Sequence, residues 1–579
     1  MKTIHNYIFA LIAFLTLVSC YDGIDSITEV DPGPDAGAPI ITIMKPVDGF
    51  TIQVPEPVTS TIIEFEAEDD IELASVSVTL DGQIIAAFDS FLDYRIFNNE
   101  FTYDNITTGE HILQVTATDI IGNVTIATSN FSKEPPYTPL FIGETFYMNF
   151  DGSYSELITV TDATEVGNPG FAPDTRVGTG AYAGATDSYL TFPTNGLLGN
   201  QFSASFWTKV NSDPDRAGVL VIGPPDATNP DAQNNRTSGF RFFRENAGGN
   251  QRFKLNIGNG SGDTWFDGGA AADVDPNADE WVHFAFTISE TEAVVYKDGE
   301  VVSQGPLDGI DWTGCDLLSI MSGAPRFTGW GHTSDSGFMD DLRLFSLALT
   351  QEDILGIIAQ SDEIFNLGFN GSYTDSFSDE DCTEVGSPSF TGMGGAYEGS
   401  NAYQGEADSY LTFPTDGLLN EEFSAVFRYN VNAAPDRAGI LVIGPPDEAN
   451  PDAQNNRVSG FRLFRENAEG MQRIKLNVGN GTGDSWFDGG AAADIDPTSN
   501  QWVQLAFTIS NTECVVYIDG EVVSQNAFTG ADWTGCDVMS IMSGAPRFAG
   551  WDHLSDESAM DDLRIFKKAL TQAQIQSML

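Results

Sequence analysis

The sequence has little positive charge, few histidines and cysteines, and no long apolar run after residue 20. Only 26 Lys and Arg residues stand against 84 Asp and Glu residues, so the formal net charge is −58. Such a surface repels nucleic acid and anionic lipid, which argues against both as partners held by charge. The missing apolar run excludes a membrane-spanning helix after residue 20, because a span needs about 20 consecutive apolar residues.

Catalytic motifs are missing as well. The chain has five histidines, and it contains no Cys/His cluster, no G-x-S-x-G and no H-E-x-x-H. We therefore predict no catalytic residues. A glycoside hydrolase needs only two carboxylates that the fold brings together, so that class of enzyme stays open as an alternative.

What the sequence does contain is a long internal duplication. Residues 213–275 align with residues 434–496 without a gap, and 50 of these 63 positions are identical. The most similar part is rich in Arg, Asn, Asp and Gly rather than in core residues. One structural unit that is used twice, with the same polar surface each time, predicts a bivalent binding protein.

The N-terminus predicts export. Lys2 supplies a positive charge, residues 8–18 form a short apolar core, and Leu-Val-Ser leads into Cys20. This pattern resembles the signal peptide and lipobox of bacterial lipoproteins, which implies a signal peptide at residues 1–20, lipidation of Cys20 and an anchor in the outer membrane. The acidic residues 21–38 predict a flexible tether. They also resemble the surface-export signal of Bacteroidetes lipoproteins, which implies the outward-facing leaflet.

The other four cysteines fall into two pairs. Cys315 and Cys536 occupy equivalent positions in the two copies. Cys315 has no second cysteine in its own copy, so we predict a buried free thiol at both positions. Cys382 and Cys514 occur only in the second copy. Two cysteines gained together, in an oxidising compartment, predict a disulfide between Cys382 and Cys514.

Residues 39–133 predict a small antiparallel sandwich. Several β-rich runs alternate with turns, and Asp81-Gly82 is typical of a tight hairpin. The segment from Gly109 to Asn123 reads G-x-H-x-L-x-V-x-A-x-D-x-x-G-N. This segment resembles the Ig-like (cadherin-like or PKD-like) modules of bacterial surface proteins, which implies a spacer domain.

Residues 140–359 and 362–579 contain one copy each and predict two all-β domains, with helical periodicity only near their ends. The first copy has W-x-H-x-A-x-T from Trp281, an Asp-Gly turn at Asp298, and the closing segment GFMDDLRLFSLALTQEDI at 337–354. These motifs resemble the laminin-G-like (LamG-like) branch of the concanavalin A-like lectin/glucanase superfamily. The predicted fold class is therefore all-β, with an Ig-like sandwich followed by two tandem jelly rolls. The E-x-D-x-x-E motif of the superfamily's glucanases is absent.

A polar row on one predicted strand is the main candidate site. Arg252, Lys254 and Asn256 alternate with apolar residues and therefore share one face of a sheet. Sugar sites combine planar polar side chains with an aromatic platform, which predicts a glycan-binding face. In the first copy the candidate residues are Arg241, Arg244, Arg252, Lys254, Asn256, Trp265, Asn234 and Arg236. In the second copy they are Arg462, Arg465, Arg473, Lys475, Asn477, Trp486, Asn455 and Arg457. The alternative is an exposed face that neutralises an acidic protein.

Three of the other tryptophans also bear on the site. Trp330 and His332, with Trp551 and His553 in the second copy, lie in Gly-rich loops and predict a second platform, with loop packing as the alternative. Trp207 is matched by Arg428, which excludes it from a site that both copies share. The row of Arg and Lys favours an anionic glycan such as an alginate, and a neutral β-glucan stays open.

Calcium is a further possibility. The loop at 226–236 is dense in side-chain oxygen, which suits a calcium ion, a sugar or a turn capped by Asx residues. The resemblance to LamG-like domains implies a structural calcium near the closing strand, with Asp340 and Asp561 as its best candidates.

These features predict a surface lipoprotein that binds polysaccharide through two lectin-like domains and captures it for uptake. It resembles the surface glycan-binding proteins encoded beside the outer-membrane transporters of polysaccharide-degrading Bacteroidetes. That resemblance implies a complex with a TonB-dependent transporter. The alternatives are an adhesin that binds protein or matrix through its LamG-like domains, and a cryptic glycoside hydrolase.

Overall fold

The structure is a computed structural model that describes residues 37–54, 58–134, 137–392 and 395–579. The predicted signal peptide, Cys20 and nearly all of the predicted tether lie outside the described residues. The chain divides into two compact units, one of residues up to Thr138 with Ile158–Val160, and one of Pro139–Leu157 with Thr161–Leu579. Within the described ranges, no helix has both the length and the apolar character needed to cross a bilayer.

The N-terminal unit contains a two-sheet sandwich. Its strands are β1 (Ile40–Lys45), β2 (Phe50–Gln53), β3 (Val58–Glu68), β4 (Leu73–Leu80), β5 (Gln83–Phe88), β6 (Ile96–Thr107), β7 (Gly109–Asp119) and β8 (Val124–Glu134). One sheet has the order β1-β3-β6 and the other the order β2-β8-β7-β4-β5. Inward side chains such as Phe65, Val78 and Val115 form one buried core. Pairing is antiparallel as predicted, except that β2 runs parallel to β8.

The predicted turn at Asp81-Gly82 joins β4 to β5. Both residues have positive φ, 50° and 77°, which a tight two-residue hairpin turn requires. The β-sandwich architecture is thus present, and membership of the Ig-like family stays a prediction.

The first repeat is built almost entirely from short strands. They are β9 (Glu144–Met148), β10 (Ser155–Glu156), β11 (Thr161–Asp162), β12 (Thr164–Val166), β13 (Gly170–Ala172), β14 (Ala181–Ala183), β15 (Tyr189–Pro193), β16 (Phe202–Lys209), β17 (Arg216–Ile222), β18 (Phe240–Ala247), β19 (Asn250–Gly258), β20 (Asp263–Asp267), β21 (Asp273–Val274), β22 (Trp281–Ile288), β23 (Glu292–Lys297), β24 (Glu300–Pro306), β25 (Leu317–Ile320) and β26 (Phe338–Phe345). A 3-10 turn spans Gly269–Ala272, and helix α1 (Gln351–Gln360) closes the repeat.

The second repeat follows the same plan. Its strands are β27 (Glu363–Leu367), β28 (Thr383–Val385), β29 (Ser389–Phe390), β30 (Tyr403–Gln404), β31 (Tyr410–Pro414), β32 (Phe423–Asn430), β33 (Arg437–Ile443), β34 (Phe461–Ala468), β35 (Met471–Gly479), β36 (Asp484–Asp488), β37 (Asp494–Ile495), β38 (Val503–Ile509), β39 (Glu513–Ile518), β40 (Glu521–Ala527), β41 (Val538–Ile541) and β42 (Ala559–Phe566). A 3-10 turn spans Gly490–Ala493, and helix α2 (Gln572–Gln576) follows the last strand.

Each repeat is a sandwich of two eight-stranded sheets, which confirms the predicted jelly rolls. In the first repeat the front sheet has the order β12-β15-β25-β17-β18-β19-β20, with β21 beside β19. The back sheet has the order β13-β14-β26-β16-β22-β23-β24, with β9 beside β26. Apolar side chains such as Phe242, Leu255 and Phe286 fill the space between the sheets. The strands of the second repeat are arranged in the same order.

Both closing helices begin with a capping box. Thr350 and Asp353 exchange side-chain and backbone hydrogen bonds at the start of α1, and Thr571 and Gln574 do so at α2. These helices match the helical periodicity that the sequence predicts at the end of each copy.

The segment that follows each closing helix is held by a cation and a ring. In the first repeat the Arg176 guanidinium lies 4.0 Å from the centroid of the Trp207 ring. Arg176 also pairs with Asp362 at 2.8 Å, and Trp207 Nε1 donates to Ser361 Oγ at 3.0 Å. In the second repeat the cation and the ring have exchanged positions, since Arg428 replaces Trp207 and Tyr397 replaces Arg176.

The predicted disulfide between Cys382 and Cys514 is not present, because both cysteines are free and buried. Cys514 lies on β39 of the back sheet, beside β40, and β40 packs against the edge strand β36 of the front sheet. Cys382 precedes β28, which is the opposite edge strand of that front sheet. The two thiols therefore lie toward opposite sides of the sandwich. Cys315 and Cys536 are free and buried, as predicted.

Candidate functional site

The polar row predicted on one strand lies on β19, in the front sheet of the first repeat. Alternate side chains of β19 point away from the back sheet, because those between them belong to the core. The strand register sets Arg252 beside Glu245, Lys254 beside Asp267, and Asn256 beside Trp265. The outward face of the front sheet therefore carries basic, acidic and aromatic side chains together.

An aromatic platform forms where this outward face meets the loop between β25 and β26. Trp265 of β20 stacks on Trp330 of the loop, with ring centroids 5.8 Å apart and 20° between the ring planes. The two side chains are 42% and 39% exposed. Arg236 lies over them, with its guanidinium carbon 4.6 Å from the Trp330 centroid and 5.8 Å from that of Trp265. The two platforms that the sequence predicts separately are therefore one, and we call Trp265, Trp330 and Arg236 the platform.

A small buried cluster holds the loop in place. Phe327 packs on Phe243, with centroids 5.3 Å apart, and Val221 belongs to the same buried cluster. His332 is buried and stacks on Phe327 at 4.8 Å, and its Nε2 lies 3.2 Å from Glu245 Oε1. Burial lowers the pKa of His332 to about 4, so the ring is neutral at pH 7. His332 thus supports the loop from beneath and is not itself a surface for a ligand.

The second repeat carries the same platform. Trp486 and Trp551 stack at 5.8 Å with 17° between their planes, and they are 41% and 39% exposed. The Arg457 guanidinium lies 4.6 Å from the Trp551 centroid and 5.6 Å from that of Trp486. His553 is buried, with Nε2 at 3.2 Å from Glu466. The duplication therefore preserves the geometry of the platform as well as its sequence.

The arginines around the platform are paired with carboxylates. Arg236 Nε donates to Asp263 Oδ2 at 3.2 Å. Arg252 makes a two-point contact with Asp273, at 2.6 Å from Nε and 3.0 Å from Nη2. In the second repeat Arg473 contacts Asp494 in the same way, at 2.6 and 2.9 Å.

Lys254 lies between two carboxylates. Its Nζ is 3.1 Å from Glu245 Oε2 and 3.2 Å from Asp267 Oδ2. A retaining glycosidase also uses two neighbouring carboxyl groups, but one of them must keep a proton. Desolvation acts to raise the pKa of Asp267, but the N–H of Gly269 and the Lys254 ammonium outweigh it and lower that pKa below its usual value. Asp267 is therefore ionised at neutral pH.

The equivalent pair of the second repeat behaves in the same way. Lys475 Nζ lies 3.0 Å from Glu466 and 3.2 Å from Asp488. Desolvation opposes the change, yet hydrogen bonds and charge lower the pKa of both carboxyls, with Lys475 acting on each. Neither carboxyl of this pair is suited to be a general acid.

Four of the predicted site residues are interior arginines, which corrects the prediction. Arg244 lies on the same side of β18 as Phe242 and is wholly buried. Its Nε and Nη2 donate to Asp335 at 2.6 and 2.9 Å. Arg465 pairs with Asp556 at 2.9 Å in the second repeat. These arginines belong to the core because the two-residue period of the strand turns them inward.

Arg241 and Arg462 are also buried, although they point to the outward side. The loop before β18 covers Arg241, whose Nη2 donates to the carbonyl of Asn235, while Nε and Nη1 have no protein partner. Burial lowers the pKa of Arg241 to about 10. Asn256 and Asn477 are wholly buried as well, and Asn256 Nδ2 donates to Asp263 at 2.7 Å. None of these four residues can contact a ligand directly.

The oxygen-rich loop at 226–236 is folded around one aspartate. Asp226 Oδ1 accepts the N–H groups of Thr228 at 3.1 Å and Asn229 at 2.9 Å, and Oδ2 accepts that of Asn234 at 3.4 Å. This is an Asx-capped turn, the third of the predicted alternatives. The turn fixes Asn234, and Asn455 in the second repeat, just before the arginine that covers the platform.

Asp340 and Asp561 do not fit a calcium site. Asp340 is wholly buried, and its two oxygens accept the N–H groups of Arg176 at 2.8 Å, Val177 at 3.0 Å and Asp341 at 2.8 Å. Asp561 accepts three backbone N–H groups in the same manner. Calcium needs six to eight oxygen ligands, and the part of the chain that the structure describes has no group of three or more His, Cys, Asp or Glu that could hold a metal ion.

The sequence prediction missed the acidic half of the site. Asp263, Asp267 and Asp273 and their counterparts Asp484, Asp488 and Asp494 stand beside the predicted basic residues. The available signal was that both copies keep these aspartates in the strands that follow the basic row. Only the pairing register, which the sequence does not display, shows which base each one meets.

Fold and site together define a tandem protein of lectin-like jelly rolls. A laminin-G-type family model, described as the concanavalin A-like lectin/glucanases superfamily, matches residues 184–355 and 404–576, which is more than half of the chain. The chain belongs to this superfamily. No curated protein matches the sequence.

Solved structures with similar folds come from several sources. Domain 4 of a GH43 extracellular arabinanase from Geobacillus stearothermophilus, in complex with arabinotriose, is 17% identical, with 38% of this chain and 98% of that one covered and a TM-score of 0.30. Domains LG4-5 of the mouse laminin α1 chain are 12% identical, with 66% and 88% covered and a TM-score of 0.21. A putative carbohydrate binding protein from Bacteroides ovatus is 13% identical, with 54% and 83% covered and a TM-score of 0.20. Likeness at this level carries no argument about function.

Proposed function

We propose that the protein binds glycan through the two platforms, one on each repeat. The observation that carries this proposal is the stacked, partly exposed pair Trp265–Trp330, which recurs as Trp486–Trp551. The apolar face of a sugar ring stacks on an indole, and the polar side chains around the indole hydrogen-bond to the hydroxyls. Indoles held by a buried cluster and left exposed indicate a binding surface rather than loop packing.

A polysaccharide is the ligand best suited to two equal sites on one chain, because both sites can bind the same molecule. When one site is occupied, the second meets the same polymer at a high effective concentration, which raises overall affinity about 10²- to 10⁴-fold without a new contact. Each site can then be weak, as an open platform of two indoles suggests.

The cellular setting of this proposal rests on the sequence. Lys2, the apolar residues 8–18 and Cys20 support a lipid-anchored protein on the outward face of the outer membrane. Capture of polysaccharide for uptake, beside a TonB-dependent transporter, would follow from that location. The lowered pKa of Asp267 beside Lys254, and of Glu466 and Asp488 beside Lys475, favours binding without hydrolysis.

Substitution of the platform tests the proposal. We expect the full chain to be retained by at least one polysaccharide in affinity electrophoresis. Removal of a central aromatic anchor costs about 2 kcal/mol, or roughly thirtyfold in affinity. Trp265→Ala with Trp486→Ala should therefore abolish retention, and either single variant should lose the avidity of the pair.

Phe171 provides a matched control. It is 42% exposed, as Trp265 is. It stacks on Tyr154 with ring centroids 4.5 Å apart, and it does not belong to the platform. Phe171→Ala should leave retention unchanged. Retention that survives the double tryptophan variant would refute the platform, binding to a matrix protein without any glycan would favour the adhesin, and release of reducing sugar would favour the hydrolase.

A further inference from the structure

The charged side chains around the platform form ion pairs with one another. In the first repeat, four basic side chains (Arg216, Arg236, Arg252 and Lys254) face four carboxylates (Glu245, Asp263, Asp267 and Asp273), each within the range of an ion pair. The longest of these contacts is 3.8 Å, and the others lie between 2.6 and 3.2 Å. Each base in this set has a carboxylate partner, so the set carries no excess positive charge that would attract an anionic ligand.

The second repeat has the equivalent ion pairs at nearly the same distances. Arg457 lies 3.2 Å from Asp484, Arg473 lies 2.6 Å from Asp494, and Lys475 lies 3.0 and 3.2 Å from its two carboxylates. Many surface residues differ between the two copies, yet every member of these pairs is kept. The balance of positive and negative charge is thus a feature of the site in both repeats.

Asp263 has a special place among the carboxylates. Its Oδ2 accepts both Arg236 Nε at 3.2 Å and the buried Asn256 Nδ2 at 2.7 Å. Asn256 thereby fixes Asp263, and Asp263 fixes the guanidinium that covers Trp330. The same carboxylate neutralises that guanidinium, so the orientation and the charge of the platform depend on one residue.

We infer that the platforms take a neutral glycan, and that Asp263 and Asp484 determine this preference. The inference rests on the proposed glycan binding. A uronate or sulfate would meet no excess positive charge at the platform and would approach an acidic protein, whereas a hydroxyl can donate to a paired carboxylate or accept from a paired guanidinium without any need for net charge. The arginine and lysine row, which by itself favours an anionic glycan, loses that meaning once its partners are seen.

Binding of the full chain to two kinds of probe tests the inference. The neutral probes are a β-glucan, a mannan and an arabinan, and the anionic probe is alginate. We expect retention by a neutral probe but not by alginate, and the retention should be the same at about 50 mM and about 500 mM NaCl, because screening affects only charged partners.

The charge-release variant sharpens the test. Asp263→Asn with Asp484→Asn frees the charge of Arg236 and Arg457, so alginate should bind at low salt and dissociate at high salt. Binding of the neutral probe should weaken about tenfold, because Arg236 loses its charged hydrogen-bond partner. Glu64→Gln is the control, since it frees Lys45 from a 2.9 Å ion pair in the N-terminal unit and should change neither result.

The outcomes distinguish a failure of this inference from a failure of the proposed glycan binding. Preferential binding of alginate by the unaltered chain, or a strong loss of neutral binding at high salt, would overturn the inference and leave glycan binding in place. The salt series needs no variant, so it decides the matter even when Asp263→Asn does not fold. Binding to no member of the neutral and anionic panel would instead count against glycan binding itself.

Discussion

Two arginines on one strand should respond oppositely to the same substitution. Arg241 and Arg244 both lie on β18 and both are wholly buried, but only Arg244 faces a carboxylate, that of Asp335. Arg241 has one partner, the carbonyl of Asn235, and its Nε and Nη1 have no protein partner. Methionine has a similar length and no charge, so Arg241→Met and Arg244→Met form a matched pair.

The expected magnitudes follow from these partners. A buried polar group without a partner costs about 1–3 kcal/mol, so Arg241→Met relieves two such costs and creates one, at the carbonyl of Asn235. We expect the first repeat to gain about 1–3 kcal/mol of stability. Arg244→Met leaves Asp335 buried without its cation, which costs about 3–5 kcal/mol.

Differential scanning calorimetry of the full chain measures both effects. A change of 1 kcal/mol shifts the transition of a domain this size by about 2–4 °C. Arg241→Met should raise the transition of the first repeat by a few degrees, and Arg244→Met should lower it by about 10 °C. If Arg241→Met is as harmful as Arg244→Met, then Arg241 has a counter-charge and the reasoning is refuted.

Two further predictions concern acid stability and the thiols. Burial lowers the pKa of His283 to about 3, so the unfolded chain binds a proton that the folded chain does not, and the stability of the first repeat falls as pH falls from about 6.5 toward 3. His283→Gln, which copies Gln504 of the second repeat, should remove this loss, and an unchanged acid-unfolding midpoint would contradict the assignment. Cys382 and Cys514 should react with a thiol reagent in denaturant without reductant, because both are free thiols. Labelling that requires reductant would instead support the disulfide predicted from the sequence.

The fold was largely predictable because its signals are local. Alternation of apolar residues and Asp-Gly turns indicated the strands, and the capping Thr350 and Asp353 stand in the closing motif that indicated the jelly roll. The site was less predictable because its parts are distant in sequence. Trp265 and Trp330 meet only when the β25–β26 loop folds over β20, and Phe327 and His332 hold it there through contacts that no local pattern displays.

Burial was the weakest inference from the sequence. Arginine is usually a surface residue, so the pattern around Arg241 and Arg244 indicated a binding face. Strand period alone turns Arg244 inward, and the segment before β18 covers Arg241. The same charge that favours a ligand in an exposed row serves packing or ion pairing once partners such as Asp335 are in place.

Comparison of the two copies separates what the fold requires from what the site requires. Trp207 is replaced by Arg428 in the second repeat, and Arg176 is replaced by Tyr397, so cation and ring have exchanged positions. The Arg428 guanidinium lies 4.2 Å from the Tyr397 ring centroid, close to the 4.0 Å of the first pair. A structural contact thus tolerates reversal because attraction between a cation and a ring has no required order. A bound ligand needs a fixed order of contacts, and the platform and its ion pairs are kept in place in both repeats, as the proposed glycan binding predicts.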